Sequence, residues 1–224
     1  MLITIEGNIG SGKSTIINYL RNLKTDNIVF VDEPVSEWLN IKDNNGKNAL
    51  EVFYEDQKEN SFWFQVLAYI TRLRNLLKTI EENTDKIIIC ERSIYTDKYV
   101  FAKMLYECGN LSEMEWKTYS YWFDTFKDKT ELDLILYVNT DPDECFNRIV
   151  KRNRPEEVNK ISKEYLTKCH NKHLEWFANK DNKTEIININ GHDTIDNIMQ
   201  FVTKFTNDLV NVTKFTNELV NNKQ

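Results

Sequence analysis

Short apolar runs alternate along the chain with stretches in which apolar residues recur every three or four positions. The runs from Leu2 to Glu6, Ile28 to Asp32, Lys86 to Cys90, Leu132 to Val138 and Glu185 to Ile189 have strand length and little polar interruption. That is the pattern of strands covered on both faces. Between the second and third runs, Phe62, Leu67, Ile70, Leu73, Leu77 and Ile80 gather on one helical face and predict a long amphipathic helix. The same periodicity predicts helices over roughly 93–108, 112–127, 141–152, 162–178 and 193–220. Asp141-Pro142 marks one start, with a capping side chain ahead of a proline at the first helical position. Strand and helix in alternation predict an α/β fold, a three-layer sandwich whose five-stranded parallel sheet is flanked by helices.

One internal repeat interrupts this order. Residues Val202-Thr203-Lys204-Phe205-Thr206-Asn207-Asp208-Leu209-Val210-Asn211 recur at 212–221 with only Asp208 changed, to Glu218. Ten residues advance a helix by about 1000°, so the second copy is turned by roughly 80° from the first. The two apolar faces therefore cannot both meet one core surface squarely. Two ten-residue copies are too short for a solenoid, and the second is read as a tandem duplication that lengthens or frays the last helix. The 224 residues suit a single domain. It is assigned to 1–201, with 202–224 as a C-terminal helical extension.

Composition narrows the partners. A net charge of −6 lacks the basic footprint of a nucleic-acid binder, so the expected ligands are small anions held locally by a few Arg and Lys. No apolar run approaches the ~18 residues that span a bilayer, and nothing ahead of residue 7 has room for a leader. A cytoplasmic protein without membrane or nucleic-acid partners is the expectation. The cysteines at 90, 108, 145 and 169 form no C-x-x-C pair and are read as free thiols. Cys169, His170 and His173 share a helix but lack a complementary ligand pair, so they read as ordinary helix surface or core. The N-x-[ST] sequons at Asn110, Asn182 and Asn211 carry no weight in a cytosolic protein.

The first strand runs directly into Gly7-Asn8-Ile9-Gly10-Ser11-Gly12-Lys13-Ser14, followed by the helix-prone Thr15-Ile16-Ile17-Asn18-Tyr19-Leu20. Strand, G-x-x-x-x-G-K-[ST] and helix in that order make a phosphate-binding loop. Its glycines let backbone N–H groups surround phosphate oxygens at a helix N-terminus, which favours anions. Lys13 is placed to reach the terminal phosphates of a nucleoside triphosphate, and the Ser14 hydroxyl to help hold Mg²⁺.

Three further clusters fall at the ends of predicted elements. Asp32-Glu33-Pro34-Val35-Ser36-Glu37-Trp38 ends the second strand and Glu91-Arg92-Ser93 the third, both at the edge where open parallel sheets bind ligands. Arg148, Lys151, Arg152 and Arg154, followed by Glu156-Glu157, form a basic cluster across a helix end and its loop, with Arg148 and Arg152 on one face. With the phosphate loop they compose a phosphoryl-transfer site.

These residues resemble the deoxynucleoside kinase family, which includes deoxycytidine kinase, deoxyguanosine kinase, mitochondrial thymidine kinase and the insect multisubstrate enzyme. The resemblance rests on the loop at 7–14, Glu33-Pro34-Val35 with Trp38, Tyr54-Glu55 followed by Phe64-Gln65, and Glu91-Arg92-Ser93-Ile94-Tyr95 with Asp97 and Phe101-Ala102. It continues through Lys151-Arg152-Asn153-Arg154-Pro155-Glu156-Glu157 and Tyr165-Leu166 to His173. It implies an ATP-dependent, Mg²⁺-requiring transfer to the 5′-hydroxyl of a deoxynucleoside, a homodimer, and an Arg-rich lid at about 148–160. By resemblance, Glu33 is the general base and Arg92 contacts both that carboxylate and the transferring phosphoryl. Residues 7–14 with Thr15 hold ATP, and Arg148 lies beside its adenine. Ser14 and Glu91 face the metal, while Arg152 and Arg154 close over the phosphates. Gln65 pairs with the base, Trp38, Phe64 and Phe101 wall it, and Tyr54 with Glu157 binds the sugar 3′-hydroxyl.

At the positions that go with base choice in the family stand Ala68, Arg72 and Asp97, a set implying deoxycytidine or purine deoxynucleosides over thymidine. Two other readings share parts of the pattern. A nucleoside monophosphate kinase would need to bind an acceptor phosphate, which a carboxylate at Glu33 repels. A GTPase-like switch could use Asp43-Asn44-Asn45-Gly46 as its D-x-x-G, but that segment follows no apolar strand and no N-K-x-D is present.

Overall fold

The computed structural model describes residues 1–155, 157, 158, 160–179 and 184–221, the last ten as backbone only. Glu156 and Asn182 lie outside the described residues. Five strands, β1 (Leu2–Gly7), β2 (Ile28–Val31), β3 (Ile87–Glu91), β4 (Leu134–Asn139) and β5 (Glu185–Asn190), form one parallel sheet in the order β2-β3-β1-β4-β5. Each expected strand is present, with its ends moved by one or two residues. In register, Ile3 faces Ile89 on one side and Leu134 on the other. With neighbours on both edges and helices on both faces, β1 is buried along its whole length.

The helices are α1 (Lys13–Asn22), α2 (Val35–Asn40), α3 (Ala49–Glu55), α4 (Gln57–Glu82), α5 (residues 94–107), α6 (Glu113–Phe126), α7 (Pro142–Arg152), α8 (Lys163–Asn179) and α9 (Ile195–Asn221). The periodicity had not predicted α2 or α3, which are six and seven residues long, too short to show a repeat of 3.6. A capping box closes α3: the Asn48 side chain accepts from the Glu51 N–H and the Glu51 carboxylate accepts from the Asn48 N–H. Within α5 the turns at Asp97–Ala102 widen to a π-helix, flanked by α-helical Ile94–Thr96 and Lys103–Glu107. Such π segments are rare and often sit at functional sites.

One core lies between the sheet and α4, α5, α6 and α8, built around Phe53, Phe64, Tyr69, Leu76, Val100 and Phe123. The other lies on the opposite face, where α1 and α9 cover Ile3, Ile5, Ile87, Ile89 and Leu136. Val202 and Val210, from the first copy of the repeat, are buried in this second core. The second copy continues the helix of α9 to Asn221. All four cysteines are free, with Cys108 exposed and the others buried. Among the described residues no helix is long and apolar enough to cross a membrane.

Candidate active site

The parallel arrangement brings the C-terminal ends of β2, β3 and β1 side by side, and a cavity of about 410 Å³ opens above them. Its donor end is the phosphate loop. Gly12 has φ 109° and caps α1. Gly10 has φ 80°, and a Cβ there would come within 2.5 Å of the Cys145 carbonyl oxygen on α7, so the loop seats only against a bare backbone. The Asn8 side chain donates to Leu166 O at 2.8 Å and accepts from the Ile9 N–H at 2.9 Å. The Ser11 carbonyl accepts from Thr140 Oγ1 at 3.1 Å and from Arg148 at 3.0 Å. Arg148 also donates to Gly191 O at 2.8 Å and to Glu144 at 2.8 Å. The arginine that the resemblance set beside adenine therefore also ties α7 to the loop and to the turn after β5.

Lys13 is buried, and its Nζ donates to Asn8 O at 2.7 Å. Burial, with help from neighbouring Arg92, pushes its pKa down to about 8, against the pull of Glu91, Glu33 and Glu6. Beside it the Ser14 hydroxyl donates to Glu91 Oε1 at 2.7 Å. A hydroxyl and a carboxylate oxygen within one bond's reach are the hard oxygen donors that Mg²⁺ takes.

Glu33, just past β2, is half-buried between two arginines. Its Oε1 accepts from Arg72 at 3.0 Å and lies 3.1 Å from Arg92 Nε as an ion pair. Burial alone would raise its pKa, but Arg92, Arg72 and Lys13 hold it down at about 2. Arg92, the residue after β3, has φ 63°, a left-handed conformation that costs a non-glycine residue about 1–2 kcal/mol. Its guanidinium donates to Gly7 O at 3.0 Å and packs over the Phe101 ring at 5.0 Å. Arg72, from α4, is 3% exposed and uses three of its five N–H donors, on Asp97 at 2.8 Å, Glu91 O at 2.8 Å and Glu33. Burial raises the Asp97 pKa while Arg72 opposes it.

The acceptor end is walled by aromatic rings. Phe64 stacks on Phe53 at 4.4 Å and meets Trp38 edge to face at 5.5 Å. Trp38 is fixed by donating Nε1–H to Thr71 at 3.0 Å. Gln65, Ala68 and Tyr54 line the same space, and the side-chain amide of buried Gln65 bonds to no other described residue, which leaves it for a ligand. Burial, reinforced by Glu157, raises the Tyr54 pKa. Glu157 is paired with Arg152 and, at 3.4 Å, with Arg154, so the two lid arginines meet over the carboxylate assigned to the sugar. The cavity thus gathers Gly10, Gly12, Lys13, Ser14, Thr15, Glu33, Glu91, Arg92, Arg148, Arg152, Arg154 and Glu157 with the acceptor wall. Gly7, Asn8 and Ser11 form the loop beneath it.

Sequence reasoning missed Glu6 and its partners. Thr4 and Ser93 donate to Glu6 Oε1 at 2.9 and 2.8 Å, and Thr96 donates to Oε2. The available signal was the alternation Ile3-Thr4-Ile5-Glu6 in a strand buried on both faces, which obliges its polar residues to find partners inside. Cys169 and His173 are buried in the core: His173 Nδ1 bonds Cys169 O at 2.8 Å, and burial lowers its pKa to about 3.

Comparison with known proteins identifies the family. The family described as deoxynucleoside kinase matches residues 3–218. The chain is 39% identical to human deoxycytidine kinase over 202 residues, covering 81% of this chain and 77% of that one. It is 35% identical to deoxycytidine kinase 2 of Gallus gallus (84% and 77% covered) and 33% identical to the mitochondrial deoxyguanosine kinase of Xenopus laevis (84% and 77%).

Proposed function

The chain belongs to the deoxynucleoside kinase family and is an ATP-dependent deoxynucleoside kinase, and from that premise we propose how its residues divide the work and which base it takes. The observation that carries the reading is the pairing of Glu33 with Arg92 and Arg72 on the wall of the cavity into which the phosphate loop opens. Lys13 and the loop amides hold the ATP phosphates at one end, and the 5′-hydroxyl of the nucleoside enters beside Glu33. The hydroxyl oxygen bonds to the γ-phosphorus as the bond to the bridging oxygen of ADP breaks, and the hydroxyl proton passes to Glu33. A carboxylate with a pKa of about 2 is a weak base, which suits a loose transition state that asks little of its nucleophile until the proton is released late. Arg92 faces both Glu33 and the transferring group. Arg152 and Arg154 close over the phosphates and supply positive charge where the transition state spreads its negative charge. Mg²⁺ would be held by Ser14 and Glu91 and would neutralise phosphate charge when bound.

On the acceptor side, the free amide of Gln65 pairs with the base and the rings of Trp38, Phe64 and Phe101 sandwich it. Tyr54 and Glu157 take the 3′-hydroxyl. Ala68 leaves room beside the Arg72–Asp97 pair, whose buried polar atoms favour a base that offers them partners and penalise one that does not. Deoxycytidine and the purine deoxynucleosides fit that description better than thymidine. Exposed Ile70, Met114, Tyr121 and Trp122 on α4 and α6 support a homodimer through these helices. The test is a substrate panel with ATP, Mg²⁺ and the four natural deoxynucleosides. Deoxycytidine, deoxyadenosine or deoxyguanosine is expected to have the highest kcat/KM, and thymidine in first place would overturn the base assignment.

A further inference from the structure

Glu6 is a fully buried carboxylate that the reaction just described does not use. It stands where the two halves of the site meet. The residue after it, Gly7, opens the phosphate loop, and the neighbouring strand β3, with Glu91 in register against Ile5, delivers Arg92. The three hydroxyls that donate to it come from Thr4 on its own strand and from Ser93 and Thr96 just beyond Arg92. Ser93 is also the cap of α5: its Oγ accepts from the Thr96 N–H, and its own N–H donates to Thr96 Oγ1, both at 3.4 Å. Glu6 thus grips both members of that cap.

Arg92 needs such a grip. A left-handed arginine persists only where surrounding contacts over-determine it. Its backbone N–H donates to Ile5 O at 3.1 Å and its guanidinium to Gly7 O at 3.0 Å, the carbonyls on either side of Glu6. The third anchor is the next residue, Ser93, held by the Glu6 side chain itself. Residues 5, 6 and 7 together fix one residue of the neighbouring strand end.

We propose that Glu6 is a positioning residue for phosphoryl transfer: by holding Ser93 and Thr96, its carboxylate keeps Arg92 in the left-handed conformation that aims the guanidinium at Glu33 and the donor loop. The inference rests on the role given to Arg92 above. A carboxylate is suited to this because every one of its contacts is an acceptor contact. Glutamine has the same shape but one oxygen and one NH₂ group, so it must turn one hydroxyl around or lose it.

The test measures kcat, KM for ATP and deoxycytidine, and melting temperature in full-length Glu6→Gln, Arg92→Lys and the double variant. Glu6→Gln is expected to lower kcat by about ten-fold or more with both KM values within about three-fold of wild type, the signature of lost transition-state stabilisation with binding retained. The double variant is expected to be no slower than Arg92→Lys, because a mis-aimed group has nothing further to lose. Should Glu6→Gln not fold, Thr96→Val is expected to reproduce the kcat loss and Thr96→Ser, which restores the hydroxyl, to recover it. An unchanged kcat in a folded Glu6→Gln or Thr96→Val enzyme overturns the proposal, and so does a loss that multiplies in full with that of Arg92→Lys. A wild-type kcat in Arg92→Lys would instead remove Arg92 from the reaction. A fall in Arg92→Lys beside an unchanged Glu6→Gln removes only the inference about Glu6.

Discussion

Raising the pH should disable ATP capture by this kinase well before it disturbs the fold, because the ammonium of Lys13 is held in a place that disfavours its charge. Burial first, and Arg92 second, bring its pKa from the ordinary 10.5 to about 8. At about 1.4 kcal/mol per pKa unit, the empty site disfavours the cation by about 3 kcal/mol. In the role proposed for Lys13, capture of the anionic phosphates needs that cation. With a pKa of about 8, kcat/KM for ATP should fall by about ten-fold between about pH 7 and pH 9, since this parameter reports the ionisation of the free enzyme. A lysine at the ordinary value would lose only a few per cent over the same range. Bound triphosphate brings negative charge to Nζ and restores the proton, so kcat should stay flat over this range. The fold responds with the opposite sign. Because the folded pKa lies below the unfolded one, the unfolded chain binds more protons between about pH 8 and 10.5, and this group's contribution to stability rises across that window. The assay is initial velocity against ATP at saturating deoxycytidine, whose base does not ionise in this range, with melting temperature followed in parallel. Lys13→Arg, which cannot lose its proton, should be slower but flat. A wild-type kcat/KM that held to pH 10, or an alkaline limb that survived in Lys13→Arg, would refute the reasoning.

Two further outcomes follow from the same structure. Glu33→Gln should lower kcat by about 10² or more. It should still fold and bind nucleoside, because Arg72 keeps Asp97 and Glu91 O and Arg92 keeps Gly7 O. Single-turnover kinetics beside calorimetric nucleoside binding checks both halves, and an unchanged kcat would remove Glu33 from the mechanism. Ending the chain before Val202 removes two buried valines, Val202 and Val210. At about 1.5–3 kcal/mol per buried side chain, the shorter chain should lose about 3 kcal/mol or more, visible in calorimetry as a drop of several degrees.

The architecture was legible because strands covered on both faces write themselves as apolar runs and amphipathic helices as three- and four-residue spacings. The pieces that escaped have physical reasons. Helices α2 and α3 are shorter than two full turns' worth of pattern, although Asn48 followed by Glu51 spells the capping box that closes α3. The π-helical turns at Asp97–Ala102 escaped as well, because the wider i→i+5 bonding has no residue signature of its own. In the site, the groups that would face ligand were readable from their motifs, since chemistry restricts which side chains can stand there. The conformation of Arg92 was not, because a left-handed residue other than glycine is set by its surroundings rather than by its identity. Nor was the double duty of Arg148: besides its neighbour Glu144 it bonds carbonyls from the phosphate loop and the turn after β5, which leave no mark on the sequence.

The strand order carries a consequence for how this enzyme comes into being. β1 ends in the phosphate loop, yet its partners are β3 and β4, so Ile3 waits for Ile89 on one side and Leu134 on the other. At a synthesis rate of about 5–20 residues per second, β1 would leave the ribosome on the order of ten seconds before its second partner exists. Through that interval Leu2-Ile3-Thr4-Ile5 has at most one edge paired, first none and then β3 alone, and its open edge is exposed to chaperones and to other nascent chains. Single substitutions at the start of β4, at Leu134 or Ile135, should therefore be felt first as lost yield of folded enzyme, and only the molecules that survive that delay ever acquire a nucleotide site.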